Sequence, residues 1–136
     1  MSYLTLEALK ATEYLYKNFK ITADVIDLRT IKPIDWKTIF KSIKKTKRLL
    51  VLDTGFTTGS VAGEIIAKIS IEKFNILKSA PIRLAMPDVP EPTSSSLTKN
   101  FYIRADDIAI NVLRSLKRGY KNVKKDLEQS GPRDIP

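Results

Sequence analysis

The strongest constraint on the fold is the stretch Arg-Leu-Leu-Val-Leu at residues 48–52, where four apolar residues stand in a row. Such a strand has apolar side chains on both faces and must be covered on both, which is typical of a parallel sheet between helices. A second strand is predicted at residues 81–86, Pro-Ile-Arg-Leu-Ala-Met, and the β-branched run within 22–33, ended by Pro33, predicts a third.

Helical patterns alternate with these strands. The first helix is predicted from Leu4 to Phe19 by apolar residues at steps of four, three and four, and the second begins at an Asp35 N-cap and runs to about Lys45. A third helix is predicted after the Gly59-Ser60 turn, and a fourth opens at residues 104–107. This order predicts an α/β fold, a three-layer sandwich with a mainly parallel sheet.

The chain begins with a helix, although the first strand of a doubly wound fold is often central to the sheet. Only Ser2-Tyr3-Leu4 could represent the end of such a strand, so we expect the first strand to be truncated or missing. The length of 136 residues suits one domain. We place this domain at residues 1–117, followed by a polar tail at 118–136 without an apolar stripe for firm docking, either mobile or ordered by a partner.

Composition narrows the possible functions. The sequence contains neither cysteine nor histidine, which removes thiolate nucleophiles, the usual imidazole metal ligands and the commonest general base. These absences make catalysis by this chain alone a less expected function. Neither a membrane span nor a secretory signal is visible in the sequence, so a cytoplasmic location is the expectation.

The formal charge of +9 comes largely from two runs, residues 41–48 and 117–125. In the first run Ile43 lies at helical spacing from Ile39 and Phe40, which favours lysines on the solvated face and end of a helix. The alternative is a surface that binds an acidic protein or nucleic acid.

The turn Asp-Thr-Gly-Phe-Thr-Thr-Gly-Ser, residues 53–60, lies between a strand and a helix, where many α/β proteins bind phosphate. Gly55 and Gly59 fit neither the dinucleotide fingerprint nor the P-loop, and Ser60 stands where the P-loop has lysine. We interpret the turn as structural, with anion binding as the weaker alternative.

Asp27, Arg29 and Asp35 lie at the carboxyl end of the strand predicted within 22–33, the edge where open α/β sheets place ligands. Arg29 could bind a carboxylate or a phosphate. A pairing of Asp27 with Arg29, or a contact of either residue with another subunit, is the favoured interpretation, because no base or metal constellation accompanies them.

Residues 25–65 and 80–102 carry the motifs VIDLRTIKPID, KKTKRLLVLD, TGSVAGEI and PDVPEP in this order. Through these motifs the chain, from residue 1 to about 117, resembles the C-terminal domain of transketolase-like enzymes that use thiamine diphosphate. The likeness is greatest to the beta subunit of the decarboxylating component of 2-oxoacid dehydrogenases, of the pyruvate, branched-chain or acetoin type.

The resemblance implies a non-catalytic assembly domain. In the family, thiamine diphosphate and magnesium are bound by other domains, so the resemblance implies no catalytic, cofactor or metal residue in this chain. Its implied partners are an alpha subunit, a pyrimidine-binding domain and the acyltransferase core, within an oligomer. From the resemblance we also expect that the family's strands before the position of Met1 are missing from this chain.

The residues expected at an interface are Asp27, Arg29, Thr54 and Asp88, the last within the PDVPEP loop. Thr54 departs from the family's pattern, because many family members carry Glu at this position. The competing hypothesis from another class is a stand-alone basic module that uses the two lysine-rich runs to bind an acidic protein or, less expected, nucleic acid.

Overall fold

A computed structural model describes residues 2–98 and 101–128. Its helices are α1 (Tyr3–Phe19), α2 (Trp36–Thr46), α3 (Val61–Lys73), α4 (Ser95–Thr98), α5 (Ala105–Ser115) and α6 (Val123–Glu128). Strand β1 (Leu50–Phe56) lies between α2 and α3, and strand β2 (Ile82–Met86) lies between α3 and α4. A 3₁₀ turn at Phe74–Ile76 follows α3.

The two strands form a parallel sheet, as the apolar runs predict. Leu50 lies opposite Ile82, and Leu52 lies opposite Leu84. The register then shifts, so that Phe56 lies opposite Met86. Thr57 extends this end of the sheet by donating from its backbone nitrogen and from its hydroxyl to the Met86 carbonyl, at 2.8 and 2.9 Å.

Helices cover both faces of the sheet, which confirms the three-layer α/β prediction. One core combines α1, α5 and α6 with Leu52 and Leu84 of the sheet. The other combines α2 and α3 with Leu49 and Val51. Asp35 is the N-cap of α2, as predicted, and its carboxylate accepts hydrogen bonds from the Thr38 nitrogen and hydroxyl at 3.1 and 2.6 Å.

The predicted strand within residues 22–33 is wrong, because residues 20–35 form neither helix nor strand. A strand needs a hydrogen-bonded neighbour, and β1 and β2, the strands of the described residues, pair with each other. The possible strand end at Ser2-Tyr3-Leu4 is not a strand either. Tyr3 begins α1, and the Ser2 hydroxyl caps it by accepting from the Leu4 nitrogen at 3.4 Å.

The segment after residue 117 differs from the expectation of a tail without firm docking. Residues 123–128 form α6, and its Val123 is 1% exposed within the core of α1 and α5. The Tyr14 hydroxyl donates to Asp126 at 2.7 Å. The buried Val123, the partly buried Leu127 and the bond between Tyr14 and Asp126 attach this helix to the core. Residues 129–136 of the predicted tail lie outside the described residues.

Candidate functional site at the carboxyl edge of the sheet

The turn at residues 53–60 is built by two side chains that hold the start of α3. Asp53, at the end of the apolar run, accepts hydrogen bonds from the Gly55 nitrogen at 2.9 Å and the Ala62 nitrogen at 3.1 Å. The Ser60 hydroxyl accepts from the Gly63 nitrogen at 3.3 Å. Gly59 has φ of 73°, the left-handed conformation that favours glycine.

These bonds occupy the place that an anion would take. A helix N-terminus attracts anions through its free N–H groups and its positive dipole end. Here the Asp53 carboxylate and the Ser60 hydroxyl already accept from the N–H groups of Ala62 and Gly63. The structure therefore favours the structural interpretation of the turn.

A second carboxylate fixes the loop that follows β2. Asp88 accepts from the Thr58 nitrogen at 2.9 Å and from the Thr58 hydroxyl at 2.6 Å. These hydrogen bonds, first that of the Thr58 side chain and then that of its backbone, hold the pKa of Asp88 below its usual value because they stabilise the carboxylate. The bonds tie the 53–60 turn to the PDVPEP loop.

The two tied loops present apolar side chains to solvent. Phe56 is 49% exposed and Val89 is 51% exposed, and both line a shallow hollow with Thr58, Asp88 and Pro90. We call these five residues the carboxyl-edge patch. Its hydrogen bonds make its backbone rigid while its apolar atoms stay in water, a combination typical of a surface that is covered in an assembly.

Asp27 and Arg29 form the pair that the sequence suggested. Arg29 Nε lies 3.4 Å from Asp27 Oδ2, and the Arg29 side chain is largely exposed. Asp27 also accepts from the Thr5 hydroxyl of α1 at 3.2 Å. Asp27 and Thr54 line the same large cavity, whereas Asp88 belongs to the carboxyl-edge patch. The four expected interface residues therefore lie in two places, and their role at an interface stays a prediction.

Sequence reasoning missed three residues, Phe56 and Val89 of the carboxyl-edge patch and Glu7 of α1. Phe56 and Val89 were read as parts of loops, although an aromatic and a β-branched residue between turn residues are a signal of a covered surface. Glu7 was missed because it looks like an ordinary residue on a helix. It is buried and accepts from the Ala105 nitrogen at the start of α5, at 2.8 Å.

The residues of this edge do not fit a thiamine diphosphate and magnesium site. The N–H groups that could hold a pyrophosphate at α3 are bonded within the chain. Within residues 2–98 and 101–128, moreover, no group of three or more His, Cys, Asp or Glu side chains could hold a metal ion.

No helix in this part of the chain is long and apolar enough to cross a membrane.

The lysines of the first basic run lie as the helical pattern predicts. Ile43 is buried in the core while Lys41 and Lys44 on α2 are exposed. Lys45 is paired with Asp24 at 2.7 Å. Lys47 is the left-handed C-cap of the helix, with φ of 58°. This run is therefore the solvated face and end of α2.

Comparison with known proteins relates the chain to one domain family and to parts of longer proteins. Residues 1–108 match the family described as transketolase, C-terminal domain. The chain is 42% identical over 91 residues to the mitochondrial pyruvate dehydrogenase E1 component subunit beta of Chaetomium thermophilum, covering 67% of this chain and 24% of that protein.

Two further relatives carry similar names. The mitochondrial pyruvate dehydrogenase E1 component subunit beta-1 of Arabidopsis thaliana is 40% identical over 101 residues, which cover 74% of this chain and 28% of that protein. The subunit beta of Mycoplasma pneumoniae is 43% identical over 82 residues, which cover 60% of this chain and 25% of that protein. The matches span about a quarter of the length of each of these relatives.

Proposed function

The chain belongs to the family of transketolase C-terminal domains, and on this premise we propose that it is a non-catalytic assembly domain of a thiamine-diphosphate-dependent 2-oxoacid dehydrogenase. The relatives named above are beta subunits of pyruvate dehydrogenase, so we propose the pyruvate dehydrogenase type and, within it, the beta subunit. Its proposed partners are the alpha subunit and the pyrimidine-binding domain, and the acyltransferase core is a further one. A cytoplasmic location stays a prediction.

The carboxyl-edge patch is the observation that carries this proposal. Phe56 and Val89 are apolar, about half exposed, and held in place by the Asp88–Thr58 bonds. An exposed apolar group that is already rigid loses little conformational entropy when a partner covers it, so its burial contributes to binding. Burial of such a side chain is worth about 1.5–3 kcal/mol when complete.

Co-purification tests the assembly role. The chain carrying Phe56→Asp and Val89→Asp is expressed together with the alpha subunit and the pyrimidine-binding domain of the same organism's enzyme. We expect the unchanged chain to co-elute with both and the double variant to be lost from the complex, because the new carboxylates would be buried without partners.

Ile71→Asp is the matched control. Ile71 is 82% exposed on α3 and does not line the carboxyl-edge patch, so this variant should assemble as the unchanged chain does. Retention of the double variant in the complex would exclude the patch as the assembly surface. Decarboxylation of a 2-oxoacid by the purified chain alone, with thiamine diphosphate and magnesium, would contradict a non-catalytic role.

A further inference from the structure

Helix α1 has apolar residues on two opposite sides. Its inner side is buried in the core shared with α5 and α6, through Leu4, Ala8, Ala11 and Leu15. Because an α-helix turns about 100° per residue, Leu6, Leu9 and Tyr16 lie on the side away from this core. They are 50%, 45% and 57% exposed. A helix that is apolar all round is normally covered all round, so the outer side of α1 has the composition of a covered surface.

These residues follow the spacing of a seam between helices. Leu6, Leu9, Glu13 and Tyr16 stand at steps of three, four and three, which places them in one row along the helix. We call these four residues the α1 outer face. A second helix packs side chains into such a row at the same steps, whereas the side chains of a strand alternate with a period of two. The spacing therefore favours a helix as the covering element.

Cations gather at the carboxyl end of the α1 outer face. Lys17 and Lys20 are exposed there, and the exposed Arg118 donates to the Phe19 carbonyl at 3.2 Å. We call Lys17, Lys20 and Arg118 the α1 cation cluster. Within residues 2–98 and 101–128 none of the three forms an ion pair. The Lys20 ammonium lies 5.3 Å from the centre of the Tyr16 ring, so the cluster adjoins the apolar row.

The α1 cation cluster determines the charge and the direction of a covering helix. Its three positive charges favour a partner that carries carboxylates. Asp and Glu are most favourable in the first turn of a helix, where they oppose the positive end of the dipole. A helix whose acidic first turn meets the cluster runs antiparallel to α1. Its later turns then pass Tyr16 and Leu9 and reach Leu6.

A second copy of this chain fits the face less well. Two copies of α1 packed antiparallel would place the cluster of one copy beside the first turn of the other. That turn contains no acidic residue, so the cations would stay unpaired. Glu13 would also be buried in an apolar seam without a cation opposite it, which is costly.

A nucleic acid fits the face less well too. Its phosphates would pair with the α1 cation cluster, but its charged backbone would leave Leu6 and Leu9 in water. The Tyr16 ring, moreover, already has the Lys20 ammonium over it and offers that side to no base.

We propose that the α1 outer face is the docking surface for an amphipathic helix of a partner protein, antiparallel to α1 and acidic in its first turns. Its carboxylates pair with the α1 cation cluster, and its apolar side covers Leu6, Leu9 and Tyr16. An amphipathic helix on an apolar stripe is a recurring mode of recognition. The proposal goes beyond the assembly role above and does not rest on it, because the α1 outer face shares no residue with the carboxyl-edge patch.

Binding of a synthetic helix tests the proposal. The probe is fluorescein-labelled Ser-Pro-Glu-Glu-Leu-Glu-Glu-Leu-Leu-Ala-Lys-Leu-Ala-Ala-Leu-Leu-Ala-Ala-Leu, with its glutamates in the first two turns and one lysine to meet Glu13. We expect saturable binding by fluorescence anisotropy, weakened at least about threefold between about 0.05 and 0.2 M NaCl because salt screens the charge pairs. A probe of the same composition with its glutamates in the last two turns should bind at least about fivefold more weakly.

One pair of variants tests the apolar row. Leu6→Gln combined with Leu9→Gln removes exposed apolar groups and leaves the core intact, so the protein should unfold at an unchanged urea midpoint and bind the probe at least about tenfold more weakly. Ile71→Gln is the matched control. Ile71 is 82% exposed on α3, which packs on the other face of the sheet, and this variant should bind as the unchanged chain does.

A second pair tests the α1 cation cluster. Lys17→Gln combined with Lys20→Asn removes two charges, and Asn suits the left-handed conformation of residue 20, which has φ of 57°. This variant should bind more weakly and lose most of the dependence on salt. Lys41→Gln, on the exposed side of α2, should change neither.

Other results would overturn the proposal. Absence of saturable binding, or equal losses in the Ile71 and leucine variants, would mean that the face takes no helix. Tighter binding of the probe with its glutamates last would refute the antiparallel direction. A dimer in sedimentation that the leucine variant dissociates would make the occupant a second copy. Displacement of the probe by an equal concentration of a nucleic-acid duplex would make the face a general anion site. None of these results affects the co-purification test of the carboxyl-edge patch, so the two proposals fail separately.

Discussion

Replacement of Glu7 by Ala is expected to destabilise the protein by about 3 kcal/mol. Glu7 is 9% exposed, and its Oε2 accepts from the buried Ala105 nitrogen at 2.8 Å. A hydrogen bond to a charged group contributes about 1.5–3 kcal/mol, and a carboxylate at a helix N-terminus adds about 0.3–1 kcal/mol. Glu7→Ala removes both contributions and leaves the N–H of α5 buried without this acceptor.

Two further variants separate the causes. Glu7→Gln keeps an oxygen acceptor but loses the charge, so we expect a loss of about 1 kcal/mol. Lys10→Ala removes only the exposed partner of Glu7, an ion pair of 3.0 Å in which the lysine side chain is 64% exposed. Such a surface pair is worth about 0.5 kcal/mol or less.

Urea unfolding measures the three differences as shifts of the midpoint at constant slope. The expected order of stability is Lys10→Ala, then Glu7→Gln, then Glu7→Ala as the least stable. Equal stability of Glu7→Ala and Lys10→Ala would refute the argument, because it would mean that the bond to Ala105 contributes nothing to the docking of α1 on α5.

Three more predictions concern other contacts. Val123→Ala should cost about 1.6 kcal/mol in urea unfolding, since two buried methyl groups are lost from a residue that is 1% exposed; an unchanged midpoint would mean that α6 is not docked. Burial, with a smaller effect of the hydrogen bond to Asp126, raises the pKa of Tyr14 from 10.0 to about 12. The contribution of this shift to the free energy of unfolding is therefore complete below pH 10 and is lost as the pH rises through 12. The stability deficit of Tyr14→Phe should therefore shrink over that range. Thr58→Val should raise the pKa of Asp88 toward its usual value in a carboxyl NMR titration, because the leading hydrogen bond is gone.

The elements that could be predicted from the sequence are those whose pattern is sufficient by itself. The run Leu49–Leu52 predicts a strand covered on both faces, and the structure places its residues against the cores on opposite sides of the sheet. Asp35 predicts a helix start because an Asp side chain can bond the N–H groups of the first turn in any fold. Local chemistry decides these cases.

Other features depend on contacts that the sequence does not show. Val123 and Leu127 are one helical turn apart in a stretch rich in lysine, which is too short a pattern to predict a docked helix, yet Val123 is buried against α1 and α5. Glu7 becomes a helix cap only when α1 packs beside residue 105, which is 98 positions away in the chain. The carboxyl-edge patch could likewise be predicted only in part. Asp88 belongs to a recognisable motif, whereas Phe56 joins the patch only because the fold places it beside the PDVPEP loop.

The strand prediction is wrong at residues 22–28, because their sequence pattern is typical of a strand but the described residues provide no neighbouring strand for them. Val25 and Ile26 have the β-branched side chains of a strand, and the ties of Asp24 and Asp27 place them beside the sheet. A strand is a property of a pair, so propensity without a neighbour gives an extended segment with half-exposed apolar side chains. The carboxyl-edge patch does not depend on that neighbour, because the bonds of Asp53 and Asp88 that fix it do not involve residues 22–28.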